Sequence, residues 1–491
     1  MTENPAPAFK GWWTAPQTVS PHPEVARALR HLGEAPRWVP HDPSVDHDVV
    51  IVGGGQSGIA ASFALRRAGI SRTSVIDAAS AGQAGVWPSK ARMPTLRTPK
   101  AIPGPDAGIP ALTFVAWYEE KYGTDAYAAL GLIPTEVWAE YLGWLQRVTG
   151  VDVRYGTRLI RLEPEGDRFI LHLEIAGVPR VERARKVVLA TGAAGSGGLA
   201  IPAIISDVLP RHLYAHTDEE IDIASLRGRR VGILGAASSA FDAASSALEA
   251  GAEAAHVFCR HDDLAKASPM PALAYAGGVD NFFYLPDDAR WNLTRILRAR
   301  GPGPTPDTVR RAVAFKNFHL HLAAPWQSVE LNGDRVEVVA GGERFLFDYV
   351  IAGTGYRADL LALEELRGFS GLIATWKDRY QPSEGEEDEA LARYPYLGDS
   401  YQYVEREPGT APYLKNLHAF NFGGMASYGR HVGDVGSLRA GIARLVAGIS
   451  RDLFLEEHAR QRLPTNIITD LTGEEYARAI WLSRIPAEVD T

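Results

Sequence analysis

The stretch DVVIVGGGQSGIAASFALRRAGISRTSVID, residues 48–77, decides the fold of this chain. Residues 49–52 form an apolar run of the kind that a parallel sheet buries on both faces. Three closely spaced glycines follow, and then a pattern typical of a helix and of a second short strand. The stretch therefore predicts a strand–turn–helix–strand unit at the start of an α/β fold.

The glycines have the GxGxxG spacing of a dinucleotide-binding turn. Gly53 allows the tight turn, Gly55 leaves room for a pyrophosphate, and Gly58 lets the helix lie close to the strand. Asp77 ends the second strand, where a carboxylate can accept the ribose hydroxyls of an adenosine. Because all these features are in register, the unit is predicted to bind a dinucleotide.

Composition limits the classes of protein that fit. The chain has 491 residues, 46% of them hydrophobic and 22% charged, which is enough for two or three domains with large cores. Its net charge of -8 argues against nucleic acid as a main partner. We see no signal segment and no membrane-spanning run, so a soluble, cytoplasmic protein is expected. The single cysteine, Cys259, excludes internal disulfides, CxxC redox chemistry and thiolate metal clusters, and no metal site is predicted.

The same pattern recurs in residues 230–260, which predicts a second nucleotide-binding unit. Its turn begins at Gly235 and continues through Ser238 and Ser239, but Ala237 stands where the second glycine is expected. The methyl group of Ala237 faces the closest approach of a pyrophosphate, and whether it weakens retention of the coenzyme is open. Arg260 ends the second strand in place of an acidic residue, which suits the 2'-phosphate of NADP(H) better than NAD(H).

Two further strands end in small residues, as expected where a chain passes beneath a dinucleotide. The first runs into Thr191 and Gly192, and the second runs into Gly355. We expect the second of these strands to return the chain to the first domain. The predicted organisation is therefore an N-terminal arm at residues 1–46, a first domain at 47–197 and 346–491, and a second domain at 198–345 inserted between its halves. Trp12, Trp13 and Trp38 are expected to pack the arm against the body.

The order of motifs resembles the class B flavin-dependent monooxygenases, a family that includes flavin-containing and N-hydroxylating enzymes. The resemblance covers roughly residues 47–445 and rests on GxGxxG, Gly85-Val86-Trp87, the RM..LRTPK segment at 92–100, the two small-residue strands and the second turn. It implies two Rossmann-like domains, an FAD domain with an inserted NADPH domain. It also implies an enzyme that inserts one oxygen atom from O2 through a C4a-(hydro)peroxyflavin, with N- or S-oxygenation of a small nucleophilic substrate expected.

Candidate site residues follow from the motifs and from this resemblance. The residues predicted to bind the cofactors are Gly53, Gly55, Gln56, Ser57, Gly58, Asp77, Trp87, Thr191, Gly192, Gly235, Ala237, Ser238, Ser239, Arg260, Gly355 and Asp434. Asp434 is included because a helix follows it, whose N-terminal amides could stabilise negative charge on the reduced flavin. The residues predicted to act in catalysis are Gln56, Arg97 and Arg357. Tyr428 and His431 are expected to belong to the core.

Several alternatives remain open. Baeyer-Villiger oxygenation would need a fingerprint around His216 and Thr217, but Pro210 and His212 stand where Phe and Gly are expected. His216 is therefore expected to order the domain linker. An NADPH oxidase or flavin reductase without oxygen transfer, and a redox sensor without turnover, also share this layout. A flavin disulfide reductase is excluded because it needs two cysteines. The oligomeric state, a homo-oligomer included, is left open.

Overall fold

The structure is a computed structural model that describes residues 22–266, 275–299, 301, 303–462 and 472–481. The strands among these residues are β1 (His47–Val52), β2 (Thr73–Ile76), β3 (Val153–Arg154), β4 (Thr157–Glu165), β5 (Arg168–Ile175), β6 (Val178–Leu189), β7 (Tyr214–His216), β8 (Arg230–Leu234), β9 (Ala254–Phe258), β10 (Phe318–His321), β11 (Trp326–Asn332), β12 (Arg335–Ala340), β13 (Glu343–Phe347), β14 (Tyr349–Ala352) and β15 (Leu417–His418). The α-helices are α1 (Pro23–Leu32), α2 (Gln56–Arg67), α3 (Phe114–Tyr122), α4 (Thr124–Ala129), α5 (Thr135–Thr149), α6 (Ala203–Ser206), α7 (Ser238–Glu249), α8 (Ala276–Asn281), α9 (Asp287–Ala299), α10 (Pro306–Val313), α11 (Trp376–Arg379), α12 (Glu389–Ala392), α13 (Met425–Tyr428) and α14 (Leu438–Ala459).

The first sheet is built around β1 and has the strand order β3-β2-β1-β6-β5-β4, with β15 also paired to β6. β1 lies parallel to both β2 and β6, so it is hydrogen-bonded on both edges. Val49, Val50 and Ile51 are fully buried, which explains why the run is apolar at every position. The glycine turn after β1 therefore lies at the carboxyl end of a central parallel strand, the usual position of a nucleotide site.

The second sheet has the order β10-β9-β8-β14-β7, and every pairing in it is parallel. β8 is central and is followed by the second small-residue turn and by helix α7, as β1 is followed by α2. A separate antiparallel sheet, β11-β12-β13, completes this half of the molecule. The predicted fold class, α/β with two Rossmann-like units, is confirmed.

The predicted return of the chain to the first domain at residue 346 is wrong. β14 pairs with β8 on one edge and with β7 on the other, so it belongs to the second sheet. The chain rejoins the first sheet only at β15, which pairs with β6. The buried run of β14 would suit either sheet, and its hydrogen-bond partners, which the local sequence does not contain, decide between them.

The predicted N-terminal arm lies partly outside the described residues, including Trp12 and Trp13. Its described part forms α1 and then reaches Trp38, whose indole Nε1 donates a hydrogen bond to the carbonyl of Ala68 at 2.8 Å. The Trp38 ring also meets Phe454 edge-on, with 6.3 Å between ring centroids. Trp38 therefore attaches this part of the arm to the end of α2 and to α14.

Candidate functional site

The first glycine turn is shaped by contacts that only glycine permits. Gly53 has a φ of +115°, and a Cβ at this position would lie 2.4 Å from the carbonyl oxygen of Ala190. A Cβ on Gly58 would lie 1.8 Å from the carbonyl oxygen of Gly53. Both glycines are therefore required for β1, β6 and α2 to approach one another as they do.

Asp77 holds the same turn from the end of β2. Its Oδ2 accepts a hydrogen bond from the amide of Gly54 at 2.6 Å, and its Oδ1 accepts one from the amide of Ala79 at 2.7 Å. Gly54 is also needed for space, because its Cβ would lie 2.6 Å from Cγ1 of Val153. Gly54 is not among the predicted site residues, although the three consecutive glycines of the turn were a signal for it. The carboxylate of Asp77 keeps acceptor capacity for ribose hydroxyls.

Gln56, the first residue of α2, connects three separate segments. Its Nε2 donates to the carbonyl of Gly433 at 2.8 Å. Its Oε1 accepts hydrogen bonds from the indole nitrogens of Trp87 at 3.0 Å and Trp138 at 3.3 Å. Since both ends of the amide are engaged, Gln56 fixes the walls around the turn, and its predicted catalytic role stays untested.

The second turn repeats the geometry of the first. Gly235 has a φ of +112°, and a Cβ at this position would lie 2.2 Å from the carbonyl oxygen of Gly353. This close approach matches that of Gly53 to the carbonyl oxygen of Ala190 in the first turn. Ala240 stands at the third position of this turn, where the first turn has Gly58. A Cβ on Gly353 would lie 2.8 Å from the Cβ of Ala240, so the glycine in β14's extension makes room for the alanine in α7.

No side chain caps the N-terminus of α2 or α7, both of which are fully described. The first amides of each helix are therefore free to bind phosphate oxygens, and the helix dipole favours negative charge there. Ala237, the residue at the start of α7, has an extended backbone that any residue adopts. The two uncapped turns thus fit two dinucleotides.

Both turns open into one cavity of about 1650 Å³. Ligand pockets for one small molecule usually enclose roughly 300–1,000 Å³, so this cavity has space for more than one ligand. Most of the predicted site residues line it: Gly53, Gly55, Gln56, Ser57, Asp77, Trp87, Arg97, Thr191, Gly192, Gly235, Ala237, Ser239, Arg260, Gly355 and Asp434. The structure therefore brings together residues that are up to 381 positions apart, Gly53 and Asp434 being the extremes.

Three predicted residues are not among those that line the cavity. Gly58 is beneath the turn, where its role is packing. The hydroxyl of Ser238 accepts a hydrogen bond from the amide of Thr305 at 3.3 Å. Nε of Arg357 donates to the carbonyl of Gly197 at 2.9 Å, so this guanidinium supports the segment between the two sheets. A catalytic role for Arg357 has no contact in the cavity to support it and stays untested.

Arg97 lines the cavity but is already paired. Its Nη2 lies 2.5 Å from Oδ2 of Asp242 in α7, and Nη1 of Arg311 lies 3.4 Å from Oδ1 of the same carboxylate. Burial raises the pKa of Asp242, although both arginines act to lower it. Arg97 is thus a bridge between the two nucleotide units, and the structure does not leave it as a free cation over a flavin.

Arg260 follows β9, is exposed and lines the cavity. Its Nε donates to Nε2 of the neighbouring His261 at 3.2 Å, and His261 also lines the cavity. No acidic side chain forms an ion pair with Arg260 among the described residues. The guanidinium is therefore available to an anionic ligand at the second turn.

Asp434 begins the segment that leads into α14. Its Oδ1 accepts the amide of Ser437 at 2.7 Å, and both of its carboxylate oxygens lie 3.0 Å from Nη2 of Arg430. A short 3-10 turn, Val435–Ser437, separates it from α14, so the helix begins four residues after Asp434, at Leu438. The carboxylate of Asp434 therefore accepts the hydrogen bond of the Ser437 amide, which would otherwise be free to face a flavin.

An aromatic region between the two turns was not predicted. Tyr356 and Phe422 line it, with 5.6 Å between their ring centroids, and His431 packs edge-on against Phe422 at 4.4 Å. The interpretation of Tyr428 as a core residue fits its buried position, but that of His431 is wrong because His431 lines the cavity. Tyr356 directly follows a small-residue strand end and could have been found from that position, whereas no motif marks His431.

His216 has the structural place expected for it. It lies in β7, is fully buried, and its Nδ1 accepts the amide of Asp218 at 3.0 Å. Burial lowers the pKa of His216, so its imidazole is neutral at pH 7. It is not among the residues that line the cavity.

Three further findings complete this description. Within the described residues, no group of three or more His, Cys, Asp or Glu side chains is arranged to hold a metal ion. No helix in the described part of the chain has both the length and the apolar character needed to cross a membrane. Cys259, which lines the cavity, is the only cysteine of the chain and is free.

Comparisons with known proteins agree with this geometry. Residues 50–275 match the family described as pyridine nucleotide-disulphide oxidoreductase. The chain is 40% identical over 433 residues to an FAD-dependent urate hydroxylase of Xanthomonas campestris pv. campestris, covering 87% of this chain and 91% of that protein. The chain therefore belongs to the class B flavin-dependent monooxygenases, as the motifs predicted.

Solved structures of low sequence identity share the fold. The reduced form of ornithine hydroxylase from Pseudomonas aeruginosa superposes with a TM-score of 0.63 at 16% identity, covering 84% of this chain and 99% of that one. The cadaverine monooxygenase of desferrioxamine biosynthesis from Erwinia amylovora gives a TM-score of 0.61 at 13% identity, covering 87% and 98%.

Membership of this family confirms three predictions. The chain is an oxidoreductase of the monooxygenase class, it is a flavoprotein, and its cofactors are FAD and NADPH. A disulfide reductase that works through a redox cysteine pair stays excluded despite the family description, because Cys259 is the only cysteine of the chain.

Proposed function

We propose that this chain is a urate hydroxylase, or the hydroxylase of a closely related planar oxidised purine, that uses FAD, NADPH and O2. The observation that carries the proposal is the 40% identity to an FAD-dependent urate hydroxylase across 87% of the chain. The aromatic region of the cavity supports it, because a flat ring can stack on or pack edge-on against Tyr356 and Phe422.

The first turn would hold FAD and the second NADPH. Gly53, Gly55 and Ser57 line the first turn, and Asp77 stands where the ribose of FAD would lie. At the second turn, Gly235 and the uncapped start of α7 would take the pyrophosphate of NADPH, with Arg260 at its 2'-phosphate. On this assignment the FAD-binding domain comprises residues 47–197 and 353–491, and the NADPH-binding domain comprises 198–352.

FAD held at the first turn would supply the activation of O2, with NADPH held at the second turn as the source of electrons, and the C4a-(hydro)peroxyflavin route stays a prediction. The balance is substrate + O2 + NADPH + H⁺ → hydroxylated substrate + NADP⁺ + H2O. The protein's part is to hold both ligands in one cavity and to limit water there. The Gln56 hydrogen bonds and the Arg97–Asp242 ion pair serve the first purpose, because they fix the walls on which the two ligands lie.

The substrate class differs from the N- or S-oxygenation that the sequence predicted. Urate is also an electron-rich nucleophile, so it would react with an electrophilic oxygen as an amine or a sulfide would. Only the substrate atom that receives the oxygen differs. Amines and sulfides remain competing substrates. Baeyer-Villiger oxygenation, and NADPH oxidation without oxygen transfer, remain competing outcomes.

The test is a substrate panel on the purified holoprotein with NADPH. The panel contains urate, xanthine, ornithine, cadaverine and a simple thioether, with NADPH consumption, peroxide release and product mass measured together. We expect urate to accelerate NADPH consumption, to gain one oxygen atom from ¹⁸O2 and to suppress peroxide release. Oxygenation of an amine or thioether in preference to urate would overturn the substrate assignment. Peroxide equal to the NADPH consumed with every compound would identify an oxidase.

A further inference from the structure

His431 lies in the cavity and has no role yet in the proposed reaction. It lines the cavity beside Phe422, two residues before Gly433. The carbonyl of Gly433 is held at 2.8 Å by the amide of Gln56, which begins the helix after the first glycine turn. His431 therefore lies where the aromatic region meets the first nucleotide turn.

The imidazole of His431 has unused hydrogen-bonding capacity. Neither ring nitrogen makes a hydrogen bond to any residue in the described part of the chain. The ring is held by packing instead, edge-on against Phe422 with 4.4 Å between the centroids. A polar side chain that is fixed in place and left without a partner in a ligand cavity is a candidate to bind the ligand.

Burial keeps the imidazole of His431 neutral. Burial among its neighbours lowers the pKa of His431, and Arg430 lowers it further, while Asp434 acts in the opposite direction. Asp434 is itself paired with Arg430 at 3.0 Å, which weakens its pull on the imidazole. At pH 7 one ring nitrogen of His431 is therefore a hydrogen-bond acceptor.

We propose that His431 is a substrate-contacting residue whose neutral imidazole accepts a hydrogen bond from one ring N–H of a planar, amide-rich heteroaromatic substrate. The substrate ring would lie against Phe422 and Tyr356, and the hydrogen bond would fix its orientation within its own plane. This inference rests on the proposed function, since urate is such a ring. His431 would then determine which edge of the substrate ring faces the first nucleotide turn.

The experiment measures urate binding to the oxidised holoprotein, without turnover, by calorimetry and by the change in the flavin absorbance spectrum. The probes are urate and its four mono-N-methylated forms. The variants are His431→Phe, which keeps an aromatic ring without nitrogens, and His431→Gln, which keeps an acceptor. His319→Gln, at an exposed position on β10 outside the cavity lining, is the matched control.

We expect one of the methylated urates to bind the wild type roughly tenfold more weakly than the others, because the methyl group removes the N–H that His431 accepts. In His431→Phe, urate itself should bind roughly tenfold more weakly, and that methylated form should no longer be discriminated against. A purely steric effect of the methyl group would persist in the Phe variant. His431→Gln should recover part of the discrimination, and His319→Gln should match the wild type.

Three outcomes would overturn the inference. In the first, His431→Phe keeps the wild-type pattern across the methylated urates. In the second, it loses FAD or slows anaerobic flavin reduction by NADPH while urate affinity is unchanged, which would assign His431 to a cofactor. In the third, the wild type binds no urate, and the proposed function then fails with it. Urate binding with the expected pattern but without hydroxylation would overturn the proposed function alone.

Discussion

Arg97 and Asp242 form an ion pair, with 2.5 Å between Nη2 and Oδ2, that joins the wall of the first nucleotide unit to the helix of the second. Asp242 is almost completely buried in α7, and Arg311 approaches its other oxygen at 3.4 Å. Nη1 of Arg311 also donates to the carbonyl of Arg92 at 3.1 Å. A single buried carboxylate thus fixes the relative position of the two turns that share the cavity.

Arg97→Met should destabilise the holoprotein, because it leaves a buried carboxylate with one partner. Arg97 is partly exposed, so we expect a loss of about 1 to 3 kcal/mol in the free energy of unfolding, below the range for fully buried pairs. Thermal and denaturant unfolding measure it. Adding Asp242→Asn should restore most of the stability, since it removes the charge. Arg161→Met, which breaks an exposed pair with Glu163, should change little.

The same pair of variants separates structure from catalysis. If Arg97 serves only to neutralise the buried carboxylate of Asp242, the double variant should recover hydroxylation along with stability. Recovery of stability without recovery of activity would show that the guanidinium also contacts a ligand.

Gly55→Val should give a folded protein that does not retain FAD. The backbone of Gly55 is extended and its Cβ would lie 3.4 Å from Cα of Gly85, so the protein itself accepts a side chain there. The added group would then occupy the space needed by the pyrophosphate. The ratio of flavin to protein absorbance measures retention. Gly58→Val should instead fail to fold, because its Cβ would lie 1.8 Å from a carbonyl oxygen. A folded Gly55→Val protein with stoichiometric FAD would refute the assignment of the turn.

Arg260→Ala should weaken NADPH much more than NADH. A charge-assisted hydrogen bond to the 2'-phosphate contributes roughly 1.5 to 3 kcal/mol, which corresponds to a loss of about ten- to a hundredfold in NADPH affinity. Anaerobic flavin reduction at varied coenzyme concentration gives both dissociation constants. Arg335→Ala, at an exposed position on β12, is the control and should alter neither. Equal losses for the two coenzymes would show that Arg260 is structural.

Glu182 should make stability depend on pH in the acid range. The pKa of Glu182 is lowered to about 2, mainly by its hydrogen bond with His47. Two hydrogen bonds from Arg154 lower this pKa further, whereas burial of the carboxylate raises it. Because the folded pKa lies below the ordinary 4.5, this stabilisation is complete above pH 4.5 and is lost as the pH falls through about 2. Glu182→Gln should cost about 1 to 3 kcal/mol at pH 7, and the difference from the wild type should shrink towards pH 2. Denaturant unfolding at a series of pH values tests this, with exposed Glu330→Gln as the control. A difference that stays constant with pH would contradict it.

The two glycine turns could be predicted because their causes are local. Gly53 and Gly235 adopt a positive φ directly after a buried strand. The apolar strand and the glycine are adjacent in the sequence, so the local pattern is enough to predict the turn. Asp77 was predictable for the same reason, since its distance along the chain fixes it at the end of the next strand. Tyr349–Ala352 could not be assigned to its sheet, because its buried apolar pattern suits either one.

The centre of the site depends on contacts that sequence spacing does not encode. Arg97 meets Asp242 across 145 positions, so a residue that looks like a free cation in the sequence is an ion pair in the structure. His431 stands in no motif. Only the packing of Phe422 against it, and the cavity on its other side, distinguish it from a buried structural histidine.

The amide of Gln56 contacts Trp87, Trp138 and Gly433, the last of these 377 positions further along the chain. A growing polypeptide that has formed β1 and α2 during synthesis still lacks this wall, and it cannot complete the proposed flavin site until the segment around residue 433 has left the ribosome. FAD binds the native state, so its uptake adds to stability only from that moment. The appearance of bound flavin is therefore a late event, and chains truncated before this segment should remain colourless.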